Sequence, residues 1–157
     1  MRLLKAPENF VLDKNEKAIF LCGSIEMGNA VDWQDKISNK MKDVKNLVIL
    51  NPRRNDWNSS WTQEMSNPQF REQVEWELAG QEAATVISCY IDPATKSPIT
   101  LLEMGLFLDK MVVCCPDGFY RKGNVDIVCH RYGVTMAKDI NDLVKKTAQK
   151  LLHSSKF

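Results

Sequence analysis

Three carboxylates in this chain could do chemistry: Glu77, Asp92 and Glu103. Glu103 lies in the run Ser97-Pro-Ile-Thr-Leu-Leu-Glu-Met-Gly105, past a loop carrying Asp92 and just inside an expected helix start. A carboxylate beside a helix N-terminus is favoured as its anion. An ionised, fixed carboxylate is a nucleophile for carbon centres such as the anomeric carbon of a sugar. Asp92-Pro93 directly follows an apolar run, and Glu77 lies in Val74-Glu-Trp-Glu-Leu78 on an expected helix. Gathered at one strand end, three carboxyls would raise at least one pKa and set an acid beside a nucleophile. Each also has a plainer reading. Thr100 and Glu103 have capping-box spacing. Asp92 suits a turn, and a helical glutamate commonly faces solvent.

Other residues could bind a ligand near these acids. Gly23-Ser24-Ile25-Glu26-Met27-Gly28 separates an apolar run from a helical pattern, and its glycines permit close backbone approach. It matches neither the dinucleotide fingerprint nor the phosphate-loop pattern, so a plain turn is an equal reading. Asn51-Pro52-Arg53-Arg54 ends a second apolar run. Paired arginines there hold a carboxylate or phosphate, or are surface charge. Trp57 and Trp61 sit on a polar stretch; stacking on a base and packing over the sheet edge are both open.

These residues need elements to position them. Short apolar runs at 18–22, 47–50, 85–91 and 111–115 read as buried strands, with a fifth at 125–129. Amphipathic or capped segments at 29–43, 68–84, 101–109 and 139–152 read as helices, the second opened by Asn67-Pro68. Residues 53–66 read as a long loop. Alternating strands and helices imply an α/β fold: a flavodoxin- or Rossmann-like sandwich on a mostly parallel five-stranded sheet, helices on both faces. The whole chain, 1–157, is expected to form one domain with its core at about 18–152. Ligands in such sheets bind beyond the carboxyl ends of the strands, and every candidate above except Glu77 and Glu103 falls in one of those loops.

Composition narrows the function classes. The 21 basic and 20 acidic residues leave a formal charge of +1, against the basic excess of a general nucleic-acid binder. Five cysteines, an odd number with no Cys-x-x-Cys, point to reduced thiols in a cytoplasmic protein. His130 and His153 lack metal-ligand spacing, so no metal is expected. The first seventeen residues do not read as a signal peptide. No apolar run approaches the roughly 20 residues of a membrane span.

Together these segments resemble the nucleoside 2-deoxyribosyltransferase superfamily. The carriers are Phe-Leu-Cys-Gly-Ser-Ile (20–25), Asp-Trp-Gln (32–34), Asn-Pro-Arg-Arg-Asn-Asp-Trp (51–57), Trp-Glu-Leu (76–78) and Ser-Pro-Ile-Thr-Leu-Leu-Glu-Met-Gly (97–105). The resemblance implies that Glu103, in Glu103-Met104-Gly105, is the nucleophile. It places the family's helix carboxylate at Glu77 and its loop aspartate at Asp92. It further implies a substrate site built from Gly23, Ser24, Ile25, Asn51, Arg53, Arg54, Trp57 and Ser97. The family's first-strand tyrosine falls on Phe20, which lacks the hydroxyl. The first loop also resembles that of 2'-deoxynucleoside 5'-phosphate N-hydrolases, which carry arginine where this chain has Glu26. A glutamate there would repel phosphate and favour a nucleoside. The implied activity is exchange of one base for another on a (deoxy)nucleoside, with a nucleoside and a free base as partners, no cofactor, and a homo-oligomeric state. Hydrolysis of the same bond, and a nucleotide-sensing module without turnover, are the alternatives.

Overall fold

The computed structural model describes residues 1–25 and 32–154. Glu26, Met27 and Gly28 of the first loop lie outside the described residues.

Six strands form one sheet: β1 (Arg2–Lys5), β2 (Lys17–Gly23), β3 (Leu47–Asn51), β4 (Val86–Tyr90), β5 (Met111–Cys114) and β6 (Thr135–Ala137). Their order is β1-β3-β2-β4-β5-β6, and every pairing is parallel. The central strands read as continuous apolar runs because both faces are covered. Helices α1 (Trp33–Met41) and α5 (Ile140–His153) cover one face, packing Trp33, Ile37 and Leu143 on Ile19, Leu21 and Ile49. Helices α2 (Pro68–Ala83), α3 (Pro98–Phe107) and α4 (Lys122–Arg131) cover the other, packing Trp76, Met104 and Val125 among Phe20, Leu50 and Val113.

The α/β sandwich expected from the sequence is present, with two differences. Val125 to Cys129 is helix α4, not a strand. Its apolar residues are read at helical spacing: Val125 and Cys129 are buried one turn apart, while Ile127 and Val128 face out. Gly133, at φ +66, ends the helix, and Val134 N–H returns to the Cys129 carbonyl at 2.8 Å, a six-to-one closure. The sheet therefore gains its outer strands elsewhere. β1 pairs with β3 at one edge and the three-residue β6 pairs with β5 at the other.

The order reverses at β2, between β3 and β4. That topological switch is where a doubly wound sheet opens a crevice beyond its strand ends. Two glycines set its dimensions. Gly23 has φ +146, and a Cβ there would sit 2.1 Å from the Tyr90 carbonyl oxygen. Gly80 lets α2 lie against β2: a Cβ there would come within 2.8 Å of the Phe20 ring.

Candidate active site

Glu103 projects from α3 toward the end of β2 and is only 9% exposed. Its Oε2 accepts from Cys22 Sγ at 3.3 Å, and its Oε1 accepts from Gln81 Nε2 at 2.7 Å. The capping-box reading is thereby corrected. Pro98 opens the helix at its first turn, Ser97 is the N-cap, and Glu103 lies a turn further in with both oxygens spoken for. The expectation of an anion favoured by the helix N-terminus changes with it. Burial raises the Glu103 pKa, and the bonds from Cys22 and Gln81 pull it back. The two donors favour the charged form against that burial.

Glu77 stands on α2 within the field of Glu103. Its pKa is pushed up to about 8, first by burial, then by the Glu103 charge, against an opposing bond from Gln73. Gln73 Nε2 reaches both Glu77 Oε1 and the Pro52 carbonyl, each at 2.8 Å. Two acids in one neighbourhood are thus held differently, one by donors and one by desolvation. That separation of environments is how sites assign a base and an acid.

Asp92 follows β4 at the same end of the sheet and is buried. Its Oδ1 accepts from Ala94 N at 2.9 Å, an Asx turn, and its own N–H donates to Ser24 Oγ at 2.8 Å. The structure thus brings Glu77 and Glu103 together, while the Asp92 carboxylate engages its own loop. Ser24, Thr95 and Ser97 join their hydroxyls in a triangle of 2.5–2.9 Å. Ser97 holds a left-handed conformation, φ 46, to do so, a strain that surrounding contacts must fix. Ser24 also accepts Trp33 Nε1 on its carbonyl at 2.9 Å. Ile25 ends the described part of this loop, beside Gly23 and Ser24.

The third group of expected residues follows β3. Asn51 is buried; its Oδ1 accepts from Arg53 N at 3.0 Å, while Nδ2 has no partner. Arg53 Nε lies 3.6 Å from Asp32 Oδ2, tying this loop to the start of α1. Arg54 has a side chain only 4% exposed. It bonds Asp56 at 2.8 and 3.1 Å and Glu72 at 3.3 Å, and it lies under the Trp61 ring. Its charge builds the loop. Trp57 packs edge-on against Trp61 at 5.2 Å, and its Nε1 has no partner.

The residues that sequence reasoning passed over are the ones that hold the acids: Cys22, Gln73 and Gln81. A signal existed. Gln73, Glu77 and Gln81 recur every four residues, which aligns them on one helical face beside Gly80.

Two open clefts lie elsewhere. One, about 440 Å³, is bordered by Lys36, Lys40, Tyr90 and Lys138. The other, about 480 Å³, is bordered by Cys115, Lys122, Asp126 and Lys146. Neither is lined by Glu77 or Glu103, so the assignment of the site rests on side-chain chemistry rather than cleft size. Among the described residues no cluster of three or more His, Cys, Asp or Glu could hold a metal ion. Among them, too, no helix is long and apolar enough to cross a membrane. All five cysteines are unpaired and buried.

Comparison with known proteins bears on the same segments. A conserved protein from Enterococcus faecalis, known from its crystal structure, superposes with a TM-score of 0.61. The match covers 87% of this chain and 99% of that one at 13% identity, a likeness of fold alone. No curated protein matches. The family model for nucleoside 2-deoxyribosyltransferase-like proteins matches residues 16–119, about two thirds of the chain and the whole span from β2 to the loop after β5. The chain belongs to the nucleoside 2-deoxyribosyltransferase-like family.

Proposed function

We propose that this chain cleaves the N-glycosidic bond of a 2'-deoxynucleoside and passes the sugar to a second base through an ester on Glu103. The observation that carries the reading is the pair Glu77 and Glu103. One carboxyl is supplied with two hydrogen-bond donors, and the other is driven toward its neutral form beside it. A Glu103 oxygen bonds to the anomeric carbon as the carbon–nitrogen bond breaks. The departing base nitrogen takes the Glu77 proton. An incoming base then attacks the same carbon, the ester breaks, and Glu77 recovers a proton from that base. Double displacement retains configuration, and splitting the reaction lowers each barrier. No cofactor enters these steps.

Supporting roles are assigned to the loops at the same end of the sheet. Asp92 and Ser97, in the loop after β4, and Ser24, in the loop after β2, serve the sugar hydroxyls in this reading, with Gly23 and Ile25 beside Ser24. Asn51, Arg53 and Trp57, in the segment that ends β3 and follows it, serve the base in this reading. Arg54 shapes that loop. A cytoplasmic homo-oligomer completes the reading: Ile99, Leu102 and Leu106 stand out on α3, and sedimentation tests whether a second copy covers them.

Incubation with deoxyinosine, with and without adenine, tests the reaction. Deoxyadenosine formed only with adenine present is the expected result. Free sugar released without adenine makes the chain a hydrolase, and no turnover in either tube removes the enzymatic reading.

A further inference from the structure

Gln73, Glu77 and Gln81 stand one turn apart on the face of α2 that meets the sheet. Gln73 Nε2 is divided between Pro52 and Glu77, and Gln81 Nε2 goes to Glu103. The amide oxygens of both glutamines are left buried without a donor, one turn before and one turn after Glu77. Buried acceptors are rarely orphaned, because losing water without replacement is costly. A carboxylate at position 77 offers no hydrogen; a carboxylic acid offers one. Glu103 is served the opposite way, by N–H and S–H donors alone. An amide is suited to this division because its two ends have opposite hydrogen-bonding sense.

We propose that Gln81 is the positioning residue that gives the two carboxyls different roles: its N–H holds Glu103 as an anion while its carbonyl accepts the hydrogen of a protonated Glu77. This rests on the reading of Glu103 as nucleophile and Glu77 as acid. The titratable groups facing Glu103 are Glu77 from α2 and Cys22 from β2, with Cys89 of β4 against Cys22. Both thiols lie among apolar strands, so Glu77 is the acid that competes with Glu103 for a proton. Gln81 stands between them in the bonding scheme and touches no substrate.

Carboxyl-carbon NMR titration of the unliganded protein tests this without any substrate. In the wild-type protein Glu103 is expected to titrate below Glu77. Gln81→Met keeps the length of the side chain and removes both polar atoms. It should draw the two titrations together and move the acidic limb of kcat/KM to higher pH. It should lower kcat on the order of 10²-fold, with KM little changed. Unchanged titrations in Gln81→Met overturn the proposal. So does a wild-type Glu103 that titrates above Glu77, a result available even where the variant does not fold. Titrations that stand in the expected order and draw together in Gln81→Met, without glycosidic cleavage, uphold the role of Gln81 and count against the nucleoside chemistry alone.

Discussion

Cys22 Sγ lies 3.3 Å from Glu103 Oε2, so the end of β2 holds one oxygen of a carboxyl that belongs to α3. The Cys22 thiol is raised well above its ordinary value, first by its bond with Cys89, then by burial, then by neighbouring charge. It is therefore a donor and not a nucleophile. Cys22→Ser keeps a hydrogen for Glu103, and Cys22→Ala does not. Without that donor the Glu103 pKa rises further, and activity falls most at acidic pH. The expected loss in Cys22→Ala is about ten- to a hundredfold, from a lost charged hydrogen bond of roughly 1.5–3 kcal/mol. A pH profile of kcat/KM for the two variants checks it.

Burial and the Glu103 charge push the Glu77 pKa up to about 8. As the acid that serves the leaving base, it should impose a decline in activity above that pH. Glu77→Gln should abolish the decline and cost about 10²–10⁴-fold on ordinary nucleosides. The loss should be much smaller for an N7-methylated purine nucleoside, whose base leaves without a proton. Rates on the two substrate types across pH check this.

The same group makes stability depend on pH. Its folded pKa of about 8 lies above the ordinary carboxylate value of 4.5, so between those pH values the folded state binds the extra proton. Stability is full below the lower value and falls as pH rises toward 8, as linkage requires. In Glu77→Gln the decline should flatten. Urea unfolding of both proteins at pH 5 and pH 8 measures it.

Gly80 gives α2 its close seat on β2. Gly80→Ala puts a methyl 2.8 Å from the Phe20 ring and pushes the helix outward. Overpacking of this kind costs about 1–3 kcal/mol. Because Glu77 and Gln81 flank Gly80, activity should fall further than the loss of folded protein explains. Thermal unfolding alongside kcat separates the two effects.

The sheet and its helices were legible because apolar runs and caps are local signals. Asn67 caps α2 as read, its Oδ1 accepting from Gln69 and Phe70 N–H. Residues 125–129 misled because a short segment with four apolar residues around Asp126 fits strand or helix equally, and only the glycine at 133 and the tertiary packing decide. Edge strands β1 and β6 are short and partly exposed, so they lack the buried signature of the central ones. The acids at 77 and 103 were visible as residue types at suggestive positions. The four-residue spacing of Gln73, Glu77 and Gln81 marked one shared face, but the bonds to Glu103 were not legible, because Cys22, Gln81 and Glu103 come from three elements joined only by the parallel crossover. Arg54 shows the converse. Its type suggested an anion site, yet Asp56, Glu72 and Trp61 enclose it.

Rapid quenching during turnover of a deoxynucleoside, followed by peptide mass spectrometry, tests the nucleophile most directly. The account predicts one deoxyribosyl unit on the peptide carrying Glu103, absent from a folded Glu103→Ala protein that also makes no product. Full activity in Glu103→Ala, or an adduct on another residue, would contradict it.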